Sequence, residues 1–448
     1  MYKIIYKSVA IVTIALSLTA CAGRKTYERP NVVNEKLFRT DNIPTDSLSS
    51  ANVSWRNIFT DATLQGHINK ALSNNLDVRV AMQNVASAQA YLKQSKAAFI
   101  PTLAAQANYT RATSSINAMG GVGERTYGNL WDLTGSASWE ADIWGKLSAQ
   151  KRASYASYLA TVEAQKAVQS EVVATLATAY YQLLMLDKQK KVLEQTIDFR
   201  QKSLETTKHL KEAGSTTEVA TKQIEALVYN AQAQLISIKN SVWALENTIC
   251  VLLGEEPHTI ERTTLAEQNF PTEFKQGYAA KLLQNRPDVA RAELSLRNAF
   301  EMTNVARAAF YPTLTLSARG GFSSTELDTW ISAKSIFANF VAGLAQPILN
   351  GRQIRTQYEM RQIEQETALL NFKKVILSAG KEVADAMQNF SNQTEFIELK
   401  NKEMKAYQEA TDYSKQLFDS GMVNYLEVIT AEVNRLNAEL SVAESQFT

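Results

Sequence analysis

The sequence predicts a mainly α-helical chain with a small β part, in which one helix–β-hairpin–long-helix plan is written twice. Three observations lead to this fold class. Glycine and proline are scarce, because 17 Gly and 8 Pro in 448 residues fall well below the roughly 12% of average usage. Two stretches of the chain repeat each other at a constant offset. Four short segments between the helical stretches are candidate strands, of which three alternate apolar and polar residues and the fourth, 336–346, is more apolar and alternates poorly.

Charge and composition exclude several classes of protein. The hydrophobic and charged fractions, 45% and 21%, are those of an ordinary globular protein and argue against a disordered chain or a multi-span helical membrane protein. The formal net charge is only +2, and Lys3 and Lys7 lie in a segment that we expect to be removed. The remaining chain is balanced, which removes the electrostatic case for a nucleic-acid partner.

Residues 1–20 have the pattern of an export signal. Their apolar run, from Val9 to Leu18, is too short to span a bilayer but suits a signal-peptide core. Leu18-Thr19-Ala20-Cys21 resembles the lipobox of bacterial lipoproteins, which implies cleavage before Cys21 and acylation of that cysteine. A plain secretory signal is the alternative. Ala22, where an aspartate would imply retention at the inner membrane, implies sorting of the anchored segment 21–60 to the outer membrane.

The repeat is read from shared strings at fixed offsets. Ala97-Ala98-Phe99-x-Pro101-Thr102-Leu103 returns as Ala308-Ala309-Phe310-x-Pro312-Thr313-Leu314 at an offset of 211, and Gly214 and Glu225 match Gly421 and Glu432 at an offset of 207. Repeats of this length indicate a duplicated structural unit. We therefore expect a first repeat at 61–254, a connecting segment at 255–280 and a second repeat at 281–448.

Each repeat begins with a helix of about 30 residues that ends near Pro101 or Pro312, and it ends with two long helices. Residues 146–213 contain no Gly or Pro, and a helix of that length would extend about 100 Å. Further helices are predicted at 215–253, 352–420 and 422–448. The last is shorter than its counterpart, so we expect the natural helix to continue beyond Thr448.

A heptad seam supports coiled-coil packing of the longest helix. Eight of its ten positions are apolar, and Lys190 and Arg200 are the exceptions. The seam consists of Val172, Leu176, Ala179, Leu183, Leu186, Lys190, Leu193, Ile197, Arg200 and Leu204. A helix of this length must lie against parallel neighbours.

Strands are predicted at about 103–111, 130–140, 314–322 and 336–346. In the second of these, Trp131, Leu133 and Trp139 lie on the apolar face, which we expect to face lipid if the strands span a membrane. A half-buried sheet in a soluble domain would alternate equally well. The strand lengths match the 9–11 residues of a tilted spanning strand, which favours the membrane.

Four spanning strands cannot close a barrel, and an open edge is not tolerated in lipid. Two copies would give eight strands and three would give twelve. The residues alone do not choose between them, although a conducting pore favours three because an eight-stranded barrel is filled by its own side chains.

Taken together, the lipobox, the doubled plan, the repeated strings, Asp142-Ile143-Trp144-Gly145-Lys146 and Gly421-Met422-Val423-Asn424-Tyr425-Leu426 resemble the TolC-type outer-membrane efflux factors. The similarity is to the lipoprotein branch associated with resistance-nodulation-division (RND) pumps, and it covers about residue 50 to the end. It implies a homotrimer in the outer membrane, with a twelve-stranded β-barrel continued by a long α-helical barrel in the periplasm. It also implies a periplasmic adaptor and an inner-membrane RND-type pump as partners.

The resemblance also implies roles for four residues near the helix ends. Glu427 and Thr430 correspond to positions of the periplasmic aperture, where relatives carry acidic residues, and Thr430 departs from the aspartate found there. Gly214 and Gly421 correspond to the tip turns that contact the adaptor. The alternatives are a solvated glutamate favoured by the helix dipole and simple helix C-caps.

Enzymatic chemistry is not expected. His67, His209 and His258 stand apart from Cys and from one another at ligand spacing, and the sequence has no phosphate loop or nucleophile elbow. No cofactor or metal is expected beyond the lipid on Cys21. The predicted function is a passive exit duct for small molecules such as drugs. The alternatives are a lipid-anchored periplasmic coiled-coil scaffold and a duct for type I protein secretion.

Overall fold

A computed structural model of the chain describes residues 25–31, 54–117, 124–268 and 285–447. Its helices and strands confirm the predicted mainly helical fold class with a small β part. In chain order they are α1 (Trp55–Ile58), α2 (Ala62–Asn74), α3 (Leu76–Ala97), β1 (Thr102–Thr113), β2 (Tyr127–Ala141), α4 (Lys146–Glu212), α5 (Glu218–Leu253), α6 (Pro287–Ala308), β3 (Thr313–Ser324), β4 (Ile336–Ala345), α7 (Gln353–Asp419) and α8 (Tyr425–Phe447).

The duplication is visible in the element boundaries. Helices α3 and α6 begin and end at matching positions of the repeated strings, with the same offset as those strings, and so do strands β1 and β3. Helices α4 and α7 both contain 67 residues, and their first residues are separated by the same offset as Gly214 and Gly421. The shift between the two offsets falls in the hairpins, where β2 has 15 residues and β4 has 10. The two repeats therefore differ in their hairpins, and α5 with 36 residues is also longer than α8 with 23.

The first predicted helix is interrupted in the structure. We expected one unbroken helix before Pro101, but α2 ends and α3 begins on either side of Asn75. The buried Asn75 side chain accepts the backbone N–H groups of Asp77 and Val78 at 2.9 and 3.1 Å. Its amide donates to the carbonyl of Leu252 at 3.0 Å. Asn75 therefore caps a new helix, because an asparagine side chain competes well for free N–H groups.

The chain divides into two compact units that do not follow the sequence repeats. Of the described residues, 25–31, 84–117, 124–162 and 290–374 form one unit, and 54–83, 163–268, 285–289 and 375–447 form the other. The first unit contains the sheet, and the second contains the C-terminal parts of α4 and α7 together with α5 and α8. Each repeat contributes residues to both units.

The sheet joins the two repeats. Its four antiparallel strands lie in the order β1-β2-β3-β4, so the predicted hairpins are present and β2 additionally pairs with β3. The register places Leu133 opposite Ala107 on β1 and opposite Phe322 on β3. A Cβ at Gly321 would collide with the carbonyl oxygen of Leu133. Glycine at this position therefore lets the central strands approach.

The second unit has the main hydrophobic core. Leu176 and Leu183 of the heptad seam are fully buried, together with Ile68 on α2 and Ile249 on α5. Full burial of one such side chain stabilises the fold by about 1.5–3 kcal/mol. At the end of α5, Gly254 has a φ of 72°. A Cβ there would lie 2.7 Å from the carbonyl oxygen of Asn74, so the helix ends pack too closely for any other residue.

Hydrogen bonds to Asp61 connect the connecting segment to this core. One of its carboxylate oxygens accepts hydrogen bonds from Tyr180, Thr263 and Gln268 at 2.6–2.9 Å. The other caps α2 through the N–H of Thr63 at 2.8 Å. Burial alone would raise the pKa of Asp61, but these hydrogen bonds together hold the pKa below its ordinary value. The ionised carboxylate is therefore the form that the fold stabilises.

Candidate functional site

Two tight turns connect the long helices in pairs. Residues 213–217 join α4 to α5, and residues 420–424 join α7 to α8; they are termed the tip turns. Gly214 and Gly421 have φ values of 75° and 72°, a conformation that costs glycine little. In each turn the N–H after the glycine reaches the carbonyl five residues earlier, at 2.8 and 2.9 Å. Both predicted glycines thus form Schellman caps, while their contact with an adaptor stays a prediction.

Glu427 and Thr430, the predicted aperture residues, lie exposed on the first two turns of α8. The Asn424 side chain caps this helix by accepting the N–H of Glu427 at 3.2 Å. In the part of the chain that the structure describes, no lysine or arginine pairs with the Glu427 carboxylate. Thr430 donates its hydroxyl to the carbonyl of Leu426 at 2.9 Å. Glu427 therefore offers an unpaired charge, and Thr430 offers none.

A buried charge cluster lies slightly farther along α8 and was not predicted. It consists of Glu432 and Arg435 on α8, Lys415 on α7 and Arg200 on α4, and it is termed the Glu432 cluster. The Glu432 side chain is 6% exposed and pairs with Lys415 at 2.7 Å and Arg435 at 3.0 Å. Arg200 is 4% exposed and donates to the carbonyl of Leu227 on α5 at 2.8 Å.

The cluster connects all four long helices near the tip turns. Burial lowers the pKa of the Arg200 guanidinium, and the negative charge of Glu432 opposes that shift. Lys415 also lies 4.7 Å from the centre of the Phe199 ring. The sequence held one signal for this cluster, because Arg200 is one of only two charged positions in the heptad seam. A charge in such a seam commonly fixes the register of packed helices.

An apolar groove of about 380 Å³ lies between α5 and α8 beside the cluster. Ile224 and Leu227 line it from α5, and Tyr425, Ile429 and Thr430 line it from α8. Thr430 therefore contributes to this groove as well as to the exposed surface. The groove is a concave apolar surface next to the tip turns, as a helix-in-groove contact requires.

The two faces of the four-stranded sheet differ in polarity. Trp131, Leu133 and Trp139 lie on one face, and the register continues this apolar face across all four strands. The opposite face carries the polar side chains of β1, β2 and β3, although β4 also places Phe337 and Val341 there. On this face Arg319 pairs with Asp132 at 3.4 Å. The placement of the three predicted residues on one face follows the sequence, while their contact with lipid stays a prediction.

Aromatic side chains mark both ends of the apolar face. Near the loops, Trp131 lies 4.3 Å from Tyr109 and 5.7 Å from Trp330 between ring centres. Near the helices, the indole N–H groups of Trp139 and Trp144 donate to backbone carbonyls at 2.9 and 2.6 Å. Rows of aromatic residues at two levels are typical of membrane–water interfaces.

One histidine is less isolated than the sequence suggested. We expected His258 to stand apart from any cysteine, but the fold brings Cys250 Sγ to 3.4 Å from its Nδ1. The buried thiol donates to the His258 carbonyl and accepts its N–H, both at 3.3 Å. This geometry satisfies a buried cysteine. Across residues 25–31, 54–117, 124–268 and 285–447, no three His, Cys, Asp or Glu side chains are grouped to hold a metal ion.

Cys21, the predicted lipidation site, lies outside the described residues. The described chain begins at Lys25, and residues 25–31 pack on α6. There Arg29 pairs with Glu293 at 2.8 Å. None of the helices that the structure describes is both long enough and apolar enough to cross a membrane.

Comparison with known proteins places the chain in a family. Residues 67–255 and 279–446 match the family described as outer membrane efflux protein. The chain is 26% identical to the probable outer membrane lipoprotein SilC of Salmonella typhimurium, across 100% of this chain and 96% of SilC. It is 27% identical to the cation efflux system protein CusC of Escherichia coli K12, across 94% of this chain and 91% of CusC.

The fold is also that of a solved channel. The open-state structure of the Neisseria gonorrhoeae MtrE outer membrane channel superimposes with a TM-score of 0.84 at 23% identity, and it covers 94% of each chain. The family match spans most of this sequence and both of its repeats. The predicted outer-membrane efflux channel is confirmed, and the chain belongs to the outer membrane efflux protein family.

Proposed function

We propose that three copies of this chain form one passive exit duct, with a twelve-stranded barrel in the outer membrane and a tunnel built from the long helices. The observation that carries the proposal is the continuous apolar face of the four-stranded sheet, bordered by aromatic residues at both ends. In lipid, the free edges of β1 and β4 need partners. Pairing of β1 in one copy with β4 in the next supplies them, and three copies leave a lumen wide enough to conduct.

The test compares two arginine substitutions on β2. Leu133→Arg places a charge on the apolar face, where it costs about 2–4 kcal/mol near the bilayer midplane. Ser138→Arg is the matched control, because it lies on the polar face opposite the uncharged Thr102 and Ser317. We expect Ser138→Arg to give normal amounts of outer-membrane trimer and Leu133→Arg to give little or none. Equal assembly of the two variants would refute the barrel.

Imaging of the purified full-length protein gives a second test. Negative-stain particles should show a hollow cylinder with threefold symmetry and a long tapered helical part. Solid rods or dimers without a lumen would instead favour a periplasmic coiled-coil scaffold, since the strands would then not enclose a pore.

At the periplasmic end we propose that three Glu427 carboxylates form an acidic aperture. Its support is the exposed position of Glu427 beside a tip turn, where no described lysine or arginine pairs with its carboxylate. A ring of carboxylates in a narrow pore favours cations. Thr430 adds no charge to this ring, so the aperture depends on a single carboxylate per copy.

We also propose that the tip turns with Gly214 and Gly421 contact a periplasmic adaptor, and that an RND-type pump in the inner membrane drives export. The apolar groove between α5 and α8 fits a helix of such an adaptor. The names of two relatives support the remaining assignments. SilC is described as a lipoprotein, which supports acylation of Cys21. CusC is described as part of a cation efflux system, which favours small cargo over secreted polypeptide.

A further inference from the structure

Arg111 is the one charged residue on the apolar face of the described sheet. The register pairs it with Asn129, one pair beyond the Tyr109–Trp131 pair on the same face. Every other residue on that face of the four strands is uncharged. The charged residues of the opposite face are Asp132, Glu140 and Arg319. Arg111 therefore differs from the other charged residues of the strands in that it lies on the apolar face.

Arg111 has no compensating charge among the residues that the structure describes. Its guanidinium carbon lies 5.6 Å from the centre of the Tyr127 ring, and the Arg111 side chain is exposed. Among the described residues no carboxylate lies within ion-pair distance of it. On the polar face, by contrast, Arg319 is paired with Asp132. Tyr127 holds the Arg111 fork against a ring face, and its N–H donors have no partner in the described part of the chain.

The depth of Arg111 follows from the register. It lies two residues along β1 from Tyr109, which is about 7 Å along the strand and about 5 Å along the normal of a bilayer for the usual strand tilt. Aromatic rows lie at the headgroup level. Arg111 therefore lies just beyond that row, on the side of the hairpin loops and away from the helices. In a barrel with periplasmic helices, this is the headgroup layer of the outer leaflet.

We propose that Arg111, supported by Tyr127, binds a phosphate group of an outer-leaflet glycolipid. Its planar fork of N–H donors matches the oxygens of a phosphate, and lipid phosphates are anionic groups present at this depth. The proposal rests on the barrel proposed above. Because β1 is an edge strand of the sheet, a trimer would carry three such sites, each beside the junction of two copies.

The test uses the full-length trimer in nanodiscs of phosphatidylethanolamine, with three separate additions: diphosphoryl lipid A, phosphatidylglycerol, or inorganic phosphate. Native mass spectrometry measures bound lipid, and the melting temperature of the trimer is recorded in parallel. Arg111→Gln removes the charge and Arg111→Lys keeps the charge without the fork. Arg355→Gln is the control, because Arg355 is an exposed arginine at the start of α7 that pairs with Glu359.

We expect Arg111→Gln to lower the affinity for lipid A at least about tenfold, which is the loss of one charge-assisted contact. Arg111→Lys should lose part of the affinity, and Arg355→Gln should lose none. Unchanged lipid A binding in Arg111→Gln would overturn the proposal, as would equal binding of phosphatidylglycerol or displacement by inorganic phosphate. A wild-type chain that forms no spanning trimer would refute the barrel itself. A spanning trimer whose lipid binding is independent of Arg111 refutes only this inference.

Discussion

Substitution of Glu432 by glutamine should loosen the helix ends, because the change keeps the shape of the side chain and removes its charge. Lys415 and Arg435 are 39% and 28% exposed, so both can turn toward water. Arg200 is 4% exposed and cannot turn toward water. Removing one partner from a buried ion pair costs about 3–5 kcal/mol. With two of three cations able to relax, we expect the lower end, about 3 kcal/mol.

Hydrogen exchange measures this loss where it occurs. In the detergent-solubilised full-length protein, amides in the first half of α8 exchange through local opening. A loss of about 3 kcal/mol raises their exchange rates by about two orders of magnitude. Glu439→Gln is the matched control on the same helix, because Glu439 is 24% exposed and lies 3.4 Å from Arg435. A partly exposed pair between neighbouring turns of one helix contributes about 1 kcal/mol or less.

Two results would refute the reasoning. Equal protection in Glu432→Gln and Glu439→Gln would mean that the buried charge does not stabilise the helix ends. The second result concerns the double variant Arg200→Leu with Glu432→Leu. It removes the two most buried charges of the cluster and should recover most of the protection, because apolar replacement of buried charged groups is often neutral. A double variant as unprotected as Glu432→Gln would show that packing, and not charge, carries the effect.

Two further outcomes are expected. In planar bilayers, Glu427→Gln should reduce the cation preference of the open channel. The control Glu398→Gln, which lies on α7 far from the tip turns, should leave that preference unchanged. Unaltered selectivity in Glu427→Gln would exclude Glu427 from the aperture. The lowered pKa of Asp61 means that its contribution to stability is complete above the unfolded value of about 3.9 and is lost as the pH falls through the folded value. The difference in melting temperature between wild type and Asp61→Asn should therefore be constant above about pH 5 and shrink below about pH 4, and a difference independent of pH would contradict this role.

The features predicted from the sequence are those encoded over short distances. The breaker-free stretches predicted the long helices, and alternation placed Trp131, Leu133 and Trp139 on one face. The interruption at Asn75 was missed, because an asparagine inside a helical pattern looks like an ordinary exposed position. Its role as a cap depends on the carbonyl of Leu252, which is 177 residues away.

The Glu432 cluster could not be predicted from the sequence, for a related reason. Glu432 was recognised only as the repeat counterpart of Glu225, yet Glu225 pairs with Lys222 on its own helix. Burial of Glu432 requires Lys415 and Arg200 from two other helices. A sequence repeat therefore predicts that the two copies share a backbone conformation. It does not predict that equivalent side chains have equivalent neighbours.

Pairing of β2 with β3 has a consequence for the order of folding. Trp131 lies opposite Ser324, which belongs to the second repeat, whereas Thr113 lies opposite Tyr127 across a short loop. Closing the longer loop costs about 2 kcal/mol more chain entropy than closing the hairpin loop. Each hairpin should therefore form early, and the central pair late. During export, the first hairpin must wait with both edges unpaired until the second repeat has crossed, and this is the interval in which the chain most needs protection from aggregation.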